Sequence, residues 1–184
     1  MANAIEMLRD DHRKVKELFH QFERTEEEDR KKHIAGETLH ELEVHARLEA
    51  EIFYPAARQE IDDKELIIEA LEEHHVAKIL LSELKKVGSG DERFDAKYKV
   101  LAENVKHHIQ EEESKLFPML EDSLDTDEVG QEMEARKEQL QEKLSNRPQP
   151  RGRKSRGRSE TGTKRTAAGR TAGKKRRGRA SGGR

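Results

Sequence analysis

Apolar residues recur every three or four positions along the first 123 residues, which is the spacing of one face of an α-helix. No run of alternating β-branched residues indicates a strand. Four helices are predicted, over residues 3–24, 30–59, 63–87 and 92–123, with a turn at Gly88-Ser89-Gly90 before the last. Pro55 is expected to kink or shorten the second helix. The pattern therefore predicts an all-α fold, an antiparallel four-helix bundle.

Two further segments follow the predicted bundle. Residues 127–145 have a thin apolar stripe, which predicts an additional helix; its members are Val129, Met133, Leu140 and Leu144. From Arg147 onward Gly, Arg, Lys, Ser, Thr and Pro dominate without any large apolar residue, so this segment is expected to be disordered. The chain is thus divided into a bundle over 1–123, an additional helix over 124–146 and a basic tail over 147–184.

Ionisable residues interrupt the apolar stripes of the four predicted helices. Six positions are affected: His12, His45, Glu49, His74, His108 and Glu112. Beyond them the same spacing predicts that Ile52, Ala56 and Met119 also face the core. An isolated inward histidine such as His12 is usually a core imidazole that bonds to a backbone carbonyl. Six ionisable groups in one core need a common explanation.

The chain repeats itself at an offset of about 62 residues. Asp11-His12 aligns with Glu73-His74, and His45-Ala-Arg-Leu-Glu49 aligns with His108-Ile-Gln-Glu-Glu112. An aromatic-proline step follows each His-x-x-x-Glu pair, at Tyr54-Pro55 and Phe117-Pro118. The repeat indicates two helical hairpins of the same design.

Each His-x-x-x-Glu pair has the geometry of a chelate, because residues four apart project from the same side of a helix. Burying ionised groups without a partner is costly, and metal cations are suitable partners for imidazoles and carboxylates. Four imidazoles and two carboxylates exceed what one tetrahedral zinc requires and suit two octahedral ions. The pair His107 and Glu111 has identical spacing, but it lies on a wholly polar stripe, so His108 and Glu112 are preferred.

These residues resemble the hemerythrin-like family, also called the HHE cation-binding domain, from the first helix to Pro118. The resemblance implies that His12, His45, Glu49, His74, His108 and Glu112 hold two iron ions joined by a bridging oxygen species, with zinc or manganese as alternative metals. The oxygen carriers of the family have a second histidine one turn after the first on helix 3, where this chain has Lys78. The resemblance therefore favours binding, sensing or detoxifying oxygen, nitric oxide or peroxide over oxygen transport. A peroxide-consuming oxidoreductase is the enzymatic alternative.

Charge is strongly separated along the chain. The overall formal charge of −2 combines about −16 in residues 1–146 with about +14 in residues 147–184. Arg-Gly-Arg units in the tail resemble AT-hook cores and are candidates for contact with DNA; their arginines are Arg151, Arg153, Arg156, Arg158, Arg177 and Arg179. RNA and the acidic bundle are rival targets. A nucleic-acid-binding protein with a metal-stabilised scaffold is accordingly a further alternative.

Cysteine is absent from the chain, so thiolate metal sites and thiol catalysis are excluded. No apolar run approaches the roughly 20 residues that span a bilayer, and the first residues lack a signal-peptide pattern. The expectation is a cytoplasmic protein without a membrane partner, associated with the nucleoid if the tail binds DNA.

Overall fold

The computed structural model describes residues 2–62, 64–87 and 91–145, with side chains described as far as residue 143. These residues form helices and no strand, which confirms the predicted all-α class. The α-helices are α1 Ala4–Glu23, α2 Glu28–Leu48, α3 Tyr54–Glu60, α4 Glu65–Lys86, α5 Phe94–Glu111, α6 Phe117–Leu120 and α7 Thr126–Ser145. The turn predicted at residues 88–90, the side chain of Leu144 and the tail from Arg147 lie outside the described residues.

Two helical hairpins make up the bundle, as the internal repeat predicts. α1 packs against α2, and α4 packs against α5. Asn3 caps α1, because its side chain accepts a hydrogen bond of 3.1 Å from the Glu6 backbone N–H. None of the described helices is long and apolar enough to cross a membrane.

The core has two apolar clusters, with the six ionisable positions between them along the helices. One cluster includes Leu8, Leu48 and Phe117, and the other includes Phe19 and Tyr98. Full burial of such a side chain contributes roughly 1.5–3 kcal/mol. The two clusters therefore fix the four helices on both sides of the polar layer.

A π-helical segment begins at the glutamate of each His-x-x-x-Glu pair. π1 spans Glu49–Phe53 and π2 spans Glu112–Leu116. The backbone N–H of Tyr54 bonds to the carbonyl of Glu49, five residues earlier, and Phe117 bonds to Glu112 in the same way. Pro55 lies in the first turn of α3, where its missing N–H needs no partner. The predicted second helix is therefore divided, since α2 ends at Leu48 and a wider π turn leads into α3.

The π turns correct part of the predicted core. A π turn holds one more residue than expected, so the buried stripe beyond it moves forward by one position. Ile52 and Ala56 are only half-buried, and Phe53 and Ala57 take their places in the core. Met119 is likewise 47% exposed, whereas Leu120 is fully buried. The prediction that Ala56 and Met119 face the core was wrong for this common reason, whereas Ile52 is partly buried and packs against the cluster that contains Phe117.

The predicted additional helix is α7, and it packs against α1 and α2. Met133 and Leu140 are buried in the cluster that contains Phe117. Gly130 lies so close to the N-terminal segment that a Cβ atom at this position would be 2.0 Å from the Ala2 carbonyl oxygen. Glycine is therefore required where the two backbones meet.

Candidate metal centre

The six predicted inward residues lie together in the polar layer, and all six are buried. Their side chains form two groups in which one possible ligand atom from each residue lies within 4.8 Å of the others. The first group contains His12, His45, Glu49 and Glu112; the second contains Glu49, His74 and His108. Two imidazoles in each group and a shared carboxylate are a suitable arrangement for metal cations.

Both carboxylates lie between imidazoles of different hairpins. Oε2 of Glu49 is 3.1 Å from Nε2 of His45 and 3.0 Å from Nε2 of His74. Oε2 of Glu112 is 3.3 Å from Nε2 of His12 and 3.5 Å from Nε2 of His108. Each glutamate therefore faces one imidazole of each group.

Glu49 and Glu112 also have buried oxygen atoms that lack hydrogen bonds. Neither Glu49 oxygen completes a hydrogen bond with a described residue, and the same holds for Glu112 Oε2. Glu49 is 0% exposed and Glu112 is 2% exposed. Burial would raise the pKa of Glu49, but His45 and His74 lower it well below its ordinary value. Two buried carboxylates that face four imidazoles make this layer a strong attractor for cations.

The same carboxylates change the acidity of the imidazoles. Burial disfavours the charged form of His45, but Glu49 and Asp11 raise its pKa to about 10. Burial likewise disfavours protonation of His108, and Glu112 with Glu73 raises the pKa of this imidazole to about 9. The two buried carboxylates therefore favour the protonated, positively charged forms of these imidazoles.

Outer carboxylates orient two of the four imidazoles. His12 Nδ1 lies 2.9 Å from Glu113 Oε1, and His108 Nδ1 lies 2.9 Å from Glu73 Oε2. Because a carboxylate accepts, Nδ1 carries the proton and the Nε2 atom faces the centre of the layer. Sequence reasoning did not identify Glu73 and Glu113 as partners of the site.

The repeat contained a signal for these outer carboxylates. Asp11 and Glu73 occupy equivalent positions, each immediately before an inward histidine, and each faces the histidine of the paired helix. The shorter Asp11 side chain leaves its Oδ2 atom 3.9 Å from His45 Nδ1, which is too long for a hydrogen bond. Its Oδ1 atom accepts a hydrogen bond of 2.5 Å from Lys137 of α7. The two hairpins are therefore similar but not equivalent.

Tyr54 and Phe117 occupy equivalent positions in the two repeats but differ in function. The Tyr54 hydroxyl donates a hydrogen bond of 2.8 Å to Glu112 Oε1. Burial, together with the carboxylates of Glu112 and Glu49, raises the pKa of Tyr54 well above its ordinary value. The Phe117 ring stacks on His12 with centroids 5.8 Å apart. The Tyr54 hydrogen bond was not predicted from the sequence.

A cavity of about 580 Å³ connects the centre to the outer surface between α2 and α4. It reaches His45, His74 and His108, and its wall includes Lys78. Its apolar lining comes from residues such as Leu81. A diatomic gas or a peroxide is small enough to enter.

The competing pair on α5, His107 and Glu111, lies outside the polar layer. The side chain of His107 is 61% exposed, whereas that of His108 is 6% exposed. The predicted register of the helix is therefore the observed one. The tail arginines from Arg151 to Arg179 lie outside the described residues.

Comparison with known proteins identifies the family. The sequence model of the family, the hemerythrin HHE cation-binding domain, matches residues 3–120 of the chain. A crystal structure of a hemerythrin HHE cation-binding domain-containing protein from Mycobacterium kansasii is similar, with 27% identity and a TM-score of 0.67. The similarity covers 79% of this chain and 91% of that chain.

A curated relative from Nostoc sp., named DNA nickase, is 30% identical over 148 residues, or 77% of this chain. The match covers 41% of that relative, so this chain spans less than half of its length. The family model covers well over half of the chain and includes all six inward residues. The chain belongs to the hemerythrin HHE cation-binding domain family.

Proposed function

We propose that the bundle is a non-haem di-iron protein that binds, senses or detoxifies oxygen or a related small oxidant. The proposed ligands are His12, His45, Glu49, His74, His108 and Glu112. The observation that carries the proposal is the position of Glu49 and Glu112, each of which lies between imidazoles of both groups. One ion would take His12 and His45, the other would take His74 and His108, and the carboxylates would be shared.

The available donor atoms fit iron. Imidazole and carboxylate donors suit Fe²⁺, and six protein ligands for two ions leave coordination positions for small molecules. The hydrogen-bond-free oxygens of Glu49 and Glu112 would gain the partner that burial requires. Two ferrous ions would supply electrons for the reduction of oxygen or peroxide. Zinc or manganese fits the same donor atoms, so metal analysis of the purified protein is the first measurement.

The residues around the proposed ligands have defined tasks. Glu73 and Glu113 accept the Nδ1 protons of His108 and His12 and thereby hold each Nε2 lone pair toward the centre. The Tyr54 hydroxyl keeps its proton and donates a hydrogen bond to Glu112 Oε1, which leaves Oε2 directed at the imidazoles. The cavity beside the centre has room for small oxidants.

Lys78 provides a test of the proposed reactivity. It lies in the cavity wall one turn beyond His74, where a further imidazole would add a metal ligand. With fewer imidazoles the centre is expected to be oxidised by oxygen and not to store it reversibly. Repeated addition and removal of oxygen, followed by absorption spectroscopy of the iron-loaded protein, checks this expectation. Full spectral recovery over many cycles would favour transport and contradict it.

A peroxide-consuming oxidoreductase is the enzymatic form of the same proposal. Its distinguishing measurement is the loss of hydrogen peroxide with many turnovers per iron-loaded chain. Removal of peroxide in no more than stoichiometric amounts would favour sensing over turnover.

A second proposal concerns the tail, which we infer binds DNA and tethers the bundle to it. The specific observation is the net charge of about +14 in residues 147–184. The name of the Nostoc relative, DNA nickase, indicates the same class of partner. The predicted contacts are made by the arginines of the Arg-Gly-Arg units.

A further inference from the structure

A third group of possible metal ligands lies on the outer surface of α4 and α5. It consists of Glu73, His107 and Glu111, whose ligand atoms lie within 4.8 Å of one another. His107 Nε2 is 3.7 Å from Glu73 Oε1 and 3.9 Å from Glu111 Oε2. These separations exceed a hydrogen bond, but two ligands that bind one ion at roughly 2.0–2.2 Å can lie up to about 4.4 Å apart on opposite sides of the ion. The three side chains are therefore close enough to gather around one cation.

The outer group repeats the chelate of the inner one. His107 and Glu111 have the same four-residue spacing as His108 and Glu112, one position earlier on the helix. The consecutive histidines and glutamates of α5 thus present one chelate outward and one inward. The outer chelate includes an imidazole, which distinguishes it from the acidic clusters common on protein surfaces.

Glu73 connects the outer group with the inner centre. Its Oε1 atom faces His107, while its Oε2 atom accepts the hydrogen bond from His108 Nδ1 at 2.9 Å. A narrow cavity of about 10 Å³ lies beside this contact, lined by Glu73 and Glu111 from the outer group and by His108 and Glu112 from the inner one. This volume is close to the least that holds one water. Residues of both groups therefore line one small cavity, and Glu73 contacts a histidine of each group.

We propose that Glu73, His107 and Glu111 form an outer, weaker site for a divalent cation, from which Glu73 passes the ion to the inner centre. Cation binding at the outer site stands on its own geometry. The delivery step rests on the proposed function, since it requires that the inner centre holds metal.

Lys115 explains why the outer site is weak. Its ammonium group contacts Glu111 Oε1, and a cation at the outer site must compete with this charge. Removing the charge without removing a ligand should strengthen the site. Lys115→Gln is therefore the gain-of-affinity variant.

The test uses the metal-free full-length protein and Co²⁺ alone. Equilibrium dialysis counts tightly and weakly bound ions, and Co²⁺ absorption follows the rate at which the inner centre fills. His107→Ala and Glu111→Gln remove outer ligands. His33→Ala is the matched control, because His33 and Glu37 form an exposed pair of the same spacing on α2. Neither residue belongs to a three-ligand group among the described residues.

His107→Ala and Glu111→Gln should weaken the outer site by at least about tenfold and slow inner filling, with the final tightly bound content unchanged. Lys115→Gln should bind the weak ion more tightly, and His33→Ala should behave as the unchanged protein. A weak ion that persists in His107→Ala overturns the site. Loss of that ion with unchanged filling overturns the delivery step. If the inner centre takes up no Co²⁺, the proposed function fails, while a weak ion lost only in the outer variants still establishes the outer site.

Discussion

Neighbouring residues of one helix have different environments at the candidate centre. On α5 and π2, Glu112 lies in the core with Oε2 directed at imidazoles, whereas Glu113 accepts a hydrogen bond from His12 on its outer side. Glu111 faces the surface and contacts Lys115. Three consecutive carboxylates thus face the candidate metal centre, an inner imidazole and the surface. Their helical phase decides the role of each one.

This phase difference predicts which substitutions remove tightly bound metal. Wild-type protein should retain about two iron ions per chain after dialysis, as six ligands suit two octahedral centres. His108→Ala or Glu112→Ala should lose this metal, because the buried layer loses a ligand. His107→Ala and Glu111→Ala should retain it. Iron analysis after dialysis against a chelator is the measurement, and equal losses from both pairs would contradict the assigned register.

The hydrogen-bonded pair of Thr38 and Tyr98 provides a stability prediction away from the metal. The Thr38 hydroxyl donates to the Ile34 carbonyl at 2.8 Å, so it accepts from the Tyr98 hydroxyl at 2.6 Å. Thr38→Val strands a buried hydroxyl and should cost about 1–3 kcal/mol of unfolding free energy. Tyr98→Phe removes the donor itself and should cost about 0.5–1.5 kcal/mol.

Chemical denaturation of both single variants and the double variant compares these costs. The double variant should be close to Tyr98→Phe, because no hydroxyl remains to be stranded. A larger cost for Tyr98→Phe than for Thr38→Val would contradict the assigned direction of the hydrogen bond.

Among the helical elements, the two π segments show where sequence periodicity stops being informative. The spacing of apolar residues predicted the helices and the six inward residues, because all six precede the extra residue of the π turn or lie at its start. It misplaced Ala56 and Met119, because each π turn interrupts the α-helical spacing. The repeat located the ligands, but the bond from Tyr54 to Glu112 depends on tertiary packing between two hairpins.

The attachment of α7 depends on the close approach of two backbones. Gly130→Ala should destabilise the fold, since the nearest atom to the added Cβ is the Ala2 carbonyl oxygen, which belongs to the backbone. The expected cost is about 1–3 kcal/mol, or detachment of α7 from the N-terminal segment. Thermal unfolding and hydrogen exchange of α7 measure these two effects.

Gly36 is the matched control for this prediction. It lies within α2 with no atom within 4 Å of an added Cβ, so Gly36→Ala should stabilise the protein by about 0.4–1 kcal/mol. Equal stabilisation by both substitutions would show that the approach of Gly130 to Ala2 is not a constraint.

At the scale of the whole molecule, the separation of charge governs the behaviour of the tail. The bundle and additional helix have a net charge of about −16, and the tail has about +14. The acidic part should repel DNA and should compete with it for the arginines that we propose bind it. The isolated tail should therefore bind DNA more tightly than the full chain does.

The strength of this binding should depend steeply on salt, because a basic segment gains affinity by releasing condensed counterions from DNA. If about 8 phosphates are neutralised, the logarithm of affinity should fall against the logarithm of salt concentration with a slope near −7, from about −0.9 per contact. Insertion of the Arg-Gly-Arg arginines into a narrow minor groove should add a modest preference for A·T-rich duplexes.

Substitution of the six inward residues should leave DNA binding by the tail nearly unchanged, whereas removal of residues 147–184 should abolish it. Gel-shift titrations of the full chain, the tail alone and the tail-less chain at several salt concentrations test each point. DNA affinity in the tail-less chain, or none in the full chain at low salt, would contradict the assignment of DNA binding to the tail.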